Sequence, residues 1–266
     1  MDIFSGIVLG AIQGLTEFLP ISSSGHLILA REILGLQTGN GLAVDAILQL
    51  ATILAVGIYF HKDLISLPKT AIFVILKKPI DKKNKTLLIA IILGTIPALI
   101  AGLLLEKTMG TVFRSAELVA ITLILGSVLF WLAEKNAKQN KPLDINKGFL
   151  IGLFQTLALV PGVSRSGSTI SGGLILGLTR EQAARYSFLL SFPIILGSGL
   201  KKLLDLRNEQ TADILNLPLL LAFITAFIVG LLCIHFLLRY LKNHSLNIFI
   251  IYRLALATSV LYFVIF

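Results

Sequence analysis

GAIQGLTEFLPISSSGHLILAREILGL (10–36) and GLFQTLALVPGVSRSGSTISGGLILGL (152–178) decide the fold. Displaced by 142 positions, the two stretches match at eleven of 27 positions. The matches are Gly10/Gly152, Gln13/Gln155, Leu15/Leu157, Ser22/Ser164, Ser24/Ser166, Gly25/Gly167, Ile28/Ile170 and the four pairs from Ile33/Ile175 to Leu36/Leu178. Apolar composition inflates such a count, but shared Gln, Ser and Gly do not arise that way. Each copy is apolar yet broken by Pro20 or Pro161 and by Ser-Gly clusters, and each carries charged or titratable residues: Glu17 and His26 in one, Arg165 in the other. Backbone broken in this way is tolerated at membrane depth only where protein or a wet cavity covers it. Both stretches, about 1–36 and 148–178, are therefore predicted as re-entrant helix-turn-helix elements.

The rest of the chain supplies the membrane. Hydrophobic residues make up 56% and charged residues 14%, against about 25% charged in an ordinary soluble domain. Six further apolar runs, roughly 43–60, 87–105, 117–133, 185–203, 214–238 and 246–266, are long enough to cross. The predicted fold is an all-α integral membrane protein: about six full transmembrane helices plus two re-entrant elements in an inverted-topology repeat. No Lys or Arg precedes Arg31, so no cleaved leader is expected. The single cysteine, Cys233, permits no intramolecular disulfide and reads as packing.

Loop charge orients the chain. Lys62, Lys69, Lys77, Lys78, Lys82, Lys83 and Lys85 fall in 61–86; with 134–147, 239–245, Arg180 and Arg185 this side holds 15 of the 23 Lys and Arg. The opposite loops hold Arg31, Lys107, Arg114, Lys201, Lys202 and Arg207. The bias puts 61–86, read as a solvated and orienting stretch, in the cytoplasm and both termini outside. It also accounts for the net charge of +9 without a nucleic-acid partner, since no basic stripe with interleaved aromatics occurs. Three crossings separate equivalent points of the copies, so the second enters from the opposite face and the tips meet near the midplane. One single membrane domain is expected, with repeats at 1–135 and 146–266.

Chemistry lies where the copies differ. Glu17 aligns with Leu159, His26 with Ser168 and Ser23 with Arg165. One copy offers an acid, a hydroxyl and an imidazole; the other offers a guanidinium. Arg165 presents a planar fork for phosphate oxygens. His26 suits a nucleophile or a proton donor and acceptor, and Glu17 suits a base or a ligand to a divalent cation. Ser22, Ser24, Gly25, Ser164, Ser166, Gly167 and Thr169 surround two helix starts whose amides favour phosphate; the serines are read equally as caps. Ser23 is a nucleophile or a ligand. Asp45 and Gln49 form a site wall or a helix-end pair. Arg253 pairs with an acid or snorkels, Glu181 and Arg185 read as a surface ion pair, and His61, His235 and His244 carry no ligand spacing.

QGLTEFLPISSSGH (13–26) and PGVSRSGST (161–169) resemble the two signature motifs of the undecaprenyl-diphosphatase family associated with bacitracin resistance. The likeness extends through LAVDAILQLATILAV (42–56), TREQAARYSFLLSFP (179–193) and IYR (251–253), nearly the whole chain. It implies hydrolysis of undecaprenyl diphosphate to the monophosphate, recycling the lipid carrier of peptidoglycan synthesis in a bacterial cell membrane. It further implies a divalent metal, Mg2+ or Ca2+, and a site opening to the outer face. Carried over, the acidic motif falls on Gln13 and Glu17, the Ser-Gly-His motif on Ser22, Ser23, Gly25 and His26, and the arginine motif on Ser164, Arg165, Ser166 and Thr169. Gln13 stands where the family often has Glu; it cannot act as a base, so it orients substrate or metal and Glu17 carries the charge. The rival reading from topology alone is a secondary transporter or flippase of an anionic lipid or solute.

Overall fold

The computed structural model describes residues 1–36, 41–111, 115–208 and 216–265. Its regular elements are helical: α1 (Ile3–Thr16), α2 (Ser23–Ile33), α3 (Gly41–Tyr59), α4 (His61–Ile75), α5 (Lys82–Thr111), α6 (Ala116–Lys135), α7 (Ile145–Thr156), α8 (Arg165–Ile175), α9 (Arg180–Asn208), α10 (Leu217–Tyr240) and α11 (Asn247–Ile265). Four are long and apolar enough to cross a membrane, namely α5, α6, α9 and α10; α3 joins them if it is counted with α4. Each of the six predicted runs contains a helix, and positions 214, 215 and 266 of those runs lie outside the described residues. The side chains of Lys107, Arg114 and Arg207, counted above for orientation, lie outside the described residues.

The two predicted re-entrant stretches are helical hairpins. α1 has 14 residues and α2 has 11, so at 1.5 Å per residue neither reaches across a ~30 Å hydrocarbon core. The repeat is visible in the elements themselves. Adding 142 to the bounds of α2 gives the bounds of α8. Both helices begin at a serine cap with positive φ (Ser22, 75°; Ser164, 78°) and stop at a glycine with positive φ, Gly35 or Gly177. The correspondence reaches upstream of the motif: Asp2 caps α1 through the amide of Ser5, and Asp144 caps α7 through that of Lys147.

Small residues let each hairpin dock. A Cβ on Gly6, Gly10 or Gly14 of α1 would lie 2.3–2.7 Å from carbonyl oxygens of Pro218, Ala222 or Ala226 on α10. In the other hairpin a Cβ on Gly152 of α7 would lie 2.2 Å from the carbonyl of Gly94 on α5. Without a hydrophobic drive in lipid, such backbone approach is what holds helices together. Between the hairpins lies a core that includes Phe18, Phe130, Phe188 and Ile170.

The stretch 61–86 differs from the expected solvated loop. Residues 61–75 are the helix α4, bent 81° from α3, and Lys82, Lys83 and Lys85 already belong to α5. Lysine content was taken for loop; the apolar period beneath it fixes a helix. The expected Glu181–Arg185 ion pair is also absent: Glu181 pairs with Lys242 and Arg185 with Asp63.

Candidate active site

The two hairpin tips interlock. The Ser22 hydroxyl accepts from the amide of Gly25 in its own helix and from that of Gly162 in the other hairpin, at 3.4 and 3.1 Å. Ser166 donates back to the carbonyl of Leu19 at 3.2 Å, and Thr122 on α6 donates to that of Pro161 at 2.6 Å. A non-glycine residue at positive φ costs of order 1–3 kcal/mol; Ser22 and Ser164 both bear it, which keeps the first amides of α2 and α8 in place. Gly162 permits the close approach, since with φ +93° a Cβ there would lie 1.9 Å from Thr122 Oγ1.

This crossing brings the acid of one copy to the arginine of the other. Arg165 Nη2 donates to Glu17 Oε1 at 2.7 Å. Ser23 donates to Glu17 Oε2 at 2.7 Å, and Gln13 Nε2 donates to the same oxygen at 3.0 Å. Gln13 Nε2 also reaches Thr52 Oγ1 at 3.5 Å. Glu17 and Arg165 expose only 5% and 13% of their side chains, so the pair is shielded from bulk water. Two polar atoms here are buried and have no protein partner: Gln13 Oε1 and Arg165 Nη1. An acceptor and a cationic donor are thus left over after the internal bonds are made. Buried polar groups are nearly always satisfied, so both atoms require a partner from outside the chain, water or a ligand. Thr169, beneath Arg165, donates to its carbonyl and shares a 2.5 Å hydrogen bond with Ser187 of α9. Gly167 lies against Phe130, and a Cβ there would come within 1.9 Å of the ring. Ser24 and Ser164 bond Ser22 and Ser166 respectively.

His26 is not bonded to this cluster. Its Nδ1 lies 2.7 Å from the Ser22 carbonyl and its Nε2 lies 2.7 Å from the hydroxyl of Tyr252 on α11, with the two rings stacked. A carbonyl can only accept, so Nδ1 carries a proton, and in the neutral ring Nε2 accepts from Tyr252. Arg253, the next residue, is fully buried and has no acidic partner among its bonds. It donates to the carbonyls of Thr122, Leu123, Pro20 and Gly162 and to Ser127, and its guanidinium covers the ring of Phe130 at 4.6 Å. Both alternatives expected for it, an acid partner and snorkelling, give way to a third: it ties α6, α11 and both tips together. Asp45 pairs with Arg31 rather than acting with Gln49. Thr52, Ser187 and Tyr252 had one signal in the sequence, their place within the flanking segments of the family likeness.

No group of three or more His, Cys, Asp or Glu side chains able to hold a metal occurs among the described residues. Glu17 and the free Gln13 Oε1 do suit a hard cation that brings phosphate oxygens with it, as magnesium usually does. Elsewhere α3, α9 and α10 border an open apolar groove of about 270 Å3, lined by residues including Leu50, Ile53, Leu54 and Phe192.

Comparison with known proteins identifies the family. Chains named undecaprenyl-diphosphatase from Elusimicrobium minutum, Methanosphaera stadtmanae and Aliivibrio salmonicida are 44%, 42% and 42% identical to this one. The alignments cover 98%, 95% and 98% of this chain and 98%, 94% and 98% of the relatives. Residues 6–259 match the family described as bacitracin resistance protein BacA, and the chain belongs to that family.

Proposed function

We propose that this chain is an integral membrane phosphatase that hydrolyses undecaprenyl diphosphate to undecaprenyl phosphate and inorganic phosphate, recycling the lipid carrier of peptidoglycan synthesis and conferring bacitracin resistance. The observation that carries the reading is the Ser23–Glu17–Arg165 arrangement, a hydroxyl already hydrogen-bonded to a buried carboxylate beside a guanidinium with a free donor. A transporter of anions has use for the arginine but none for a hydroxyl held on a base.

The diphosphate sits at the two tips, where Arg165 Nη1 and the first amides of α2 and α8 receive the terminal phosphoryl oxygens. Ser23 Oγ attacks the terminal phosphorus while its proton passes to Glu17 Oε2. The bond to the bridging oxygen breaks, and the polyprenyl monophosphate leaves with the proton that Glu17 had taken, which returns Glu17 to its carboxylate form. Water then hydrolyses the phosphoserine with Glu17 as base, releasing phosphate and restoring the hydroxyl. Glu17 and Gln13 Oε1 would hold a Mg2+ or Ca2+ ion, which when bound neutralises charge on the diphosphate. His26, oriented by Ser22 and Tyr252, fixes the turn that presents Ser23. The open apolar groove bordered by α3, α9 and α10 supports placing prenyl units there.

The two repeats, 1–135 and 146–266, are inverted, so that their hairpins enter from opposite faces of a bacterial cell membrane; the three crossings α3, α5 and α6 between the hairpins support this. Loop charge puts α4 in the cytoplasm and opens the site to the outer face. Expression in a strain depleted of its own undecaprenyl-diphosphate phosphatases tests the activity in the cell. Wild type should restore growth and raise bacitracin resistance, whereas Ser23→Ala should do neither. Equal rescue by both would remove Ser23 from the reaction, and rescue by neither would contradict the proposed activity.

A further inference from the structure

α3 has 19 residues, about 28 Å of helix, close to the thickness of the hydrocarbon core. α4 is bent 81° from it and so does not continue in the direction of α3. It has three distinct sides. One packs on the protein: Leu64 and Leu67 meet the core, Thr70 is buried, and Asp63 receives Arg185 Nη2 on both oxygens at 2.7 and 2.6 Å. A second is an apolar stripe at helical spacing, Ile65, Pro68, Ile72, Ile75 and Leu76, with Ile65 67% and Ile75 78% exposed. A third is cationic. Lys62 and Lys69 border the stripe, and the ammoniums of Lys69 and Lys78 each lie 5.7 Å from the centre of the Phe73 ring.

The end of α4 is built to keep these charges together. Lys77 takes φ 53°, where glycine would be cheaper, so that the amides of Lys77 and Lys78 bond the carbonyls of Val74 and Phe73. The acids nearby are engaged: Asp63 by Arg185, and Asp81 by the amide of Lys83. We propose that α4 and the turn after it form a docking site for anionic lipid headgroups. The stripe enters the acyl boundary of the leaflet, and a lipid phosphate sits between Lys69 and Lys78 over Phe73. Amphipathic helices with a basic edge bind anionic bilayers in this way, and each lysine near the surface favours the anionic lipid roughly fivefold. The inference needs α4 to lie on a bilayer and does not rest on the proposed phosphatase activity.

The test uses the full chain in vesicles. Trp131 is the sole tryptophan, so Ile72→Trp in a Trp131→Phe background places one indole in the stripe. Its quenching by dibrominated phosphatidylglycerol is compared with that by dibrominated phosphatidylcholine at equal mole fraction. The anionic lipid should quench several-fold more strongly. Lys69→Gln with Lys78→Gln should bring the two lipids level while turnover in detergent stays at the wild-type rate. Should that variant fail to fold, salt near 1 M, where the Debye length is about 3 Å, should level the two lipids for the original lysines. Equal quenching by both lipids at low salt, or a preference that survives lysine replacement or high salt, would overturn the proposal. So would absence of quenching by either, which would take α4 off the bilayer.

Discussion

Replacing Arg165 by lysine separates charge from geometry. Arg165 uses Nη2 to hold Glu17 at 2.7 Å and has Nη1 left over, buried and unpaired. A lysine ammonium keeps the charge that compensates Glu17 but has no fixed fork, so it cannot hold the carboxylate and a phosphoryl oxygen in one plane. The variant forfeits one charge-assisted hydrogen bond, worth about 1.5–3 kcal/mol. If that bond is made best to the equatorial oxygens of the phosphoryl group in transfer, the loss falls on kcat, by about 100-fold, or ~2.7 kcal/mol. KM should change by less than about fivefold, because the helix-start amides still bind the ground state. The assay is phosphate release from a polyprenyl diphosphate in detergent with excess magnesium, with thermal unfolding measured on the same sample. Stability should change little, since Glu17 keeps a cation. Arg165→Met, by contrast, strands a buried carboxylate and should cost about 3–5 kcal/mol of stability. Turnover by Arg165→Lys within about threefold of wild type would refute the role given to Nη1.

Tyr252→Phe removes the donor to His26 Nε2 while keeping the stacked ring; the loss of one neutral hydrogen bond, about 1 kcal/mol, should lower kcat roughly fivefold. An unchanged rate would show that the imidazole needs no such restraint. Arg253→Met removes a buried donor shared by the carbonyls of Thr122, Leu123 and Gly162 and leaves that of Gly162 without its side-chain partner; unfolding in detergent should show a loss of at least ~3 kcal/mol, with activity falling because both tips are released. Gln13→Glu puts a second carboxylate beside Glu17, and the apparent affinity for magnesium in the turnover assay should rise about tenfold or more. An unaltered magnesium dependence would remove Gln13 from the metal's surroundings.

The hairpins were legible because their Ser, Gly, Glu and Arg positions are costly in lipid and composition does not generate them. The structural match extends beyond the aligned motif, to Asp2 and Asp144 as helix caps, where the intervening residues differ too much for the sequence comparison to register it. α4 was missed because its lysines dominate the reading of 61–86, although Ile65, Ile72 and Ile75 already carried the helical period. His26 was placed with Glu17 on the assumption that titratable groups of one tip act together. A helix turn separates Ser23 from His26, and that turn points the imidazole toward α11. Contacts such as His26–Tyr252, 226 positions apart, follow from how α11 packs and leave no local trace. Arg253 was misjudged for a related reason. An intramembrane cation suggests an acid, whereas five oxygen acceptors converging from three segments satisfy it without one.

The central claim is that the interlocked tips hydrolyse a lipid diphosphate. Purified protein in detergent, supplied with undecaprenyl diphosphate and magnesium, tests it by counting inorganic phosphate against undecaprenyl phosphate formed. Equal amounts of the two products from wild type, with the Glu17→Gln protein folded but inactive, is the predicted result. Folded wild-type protein that releases no phosphate with magnesium or calcium, or that turns over as fast when Glu17→Gln is introduced, would contradict it.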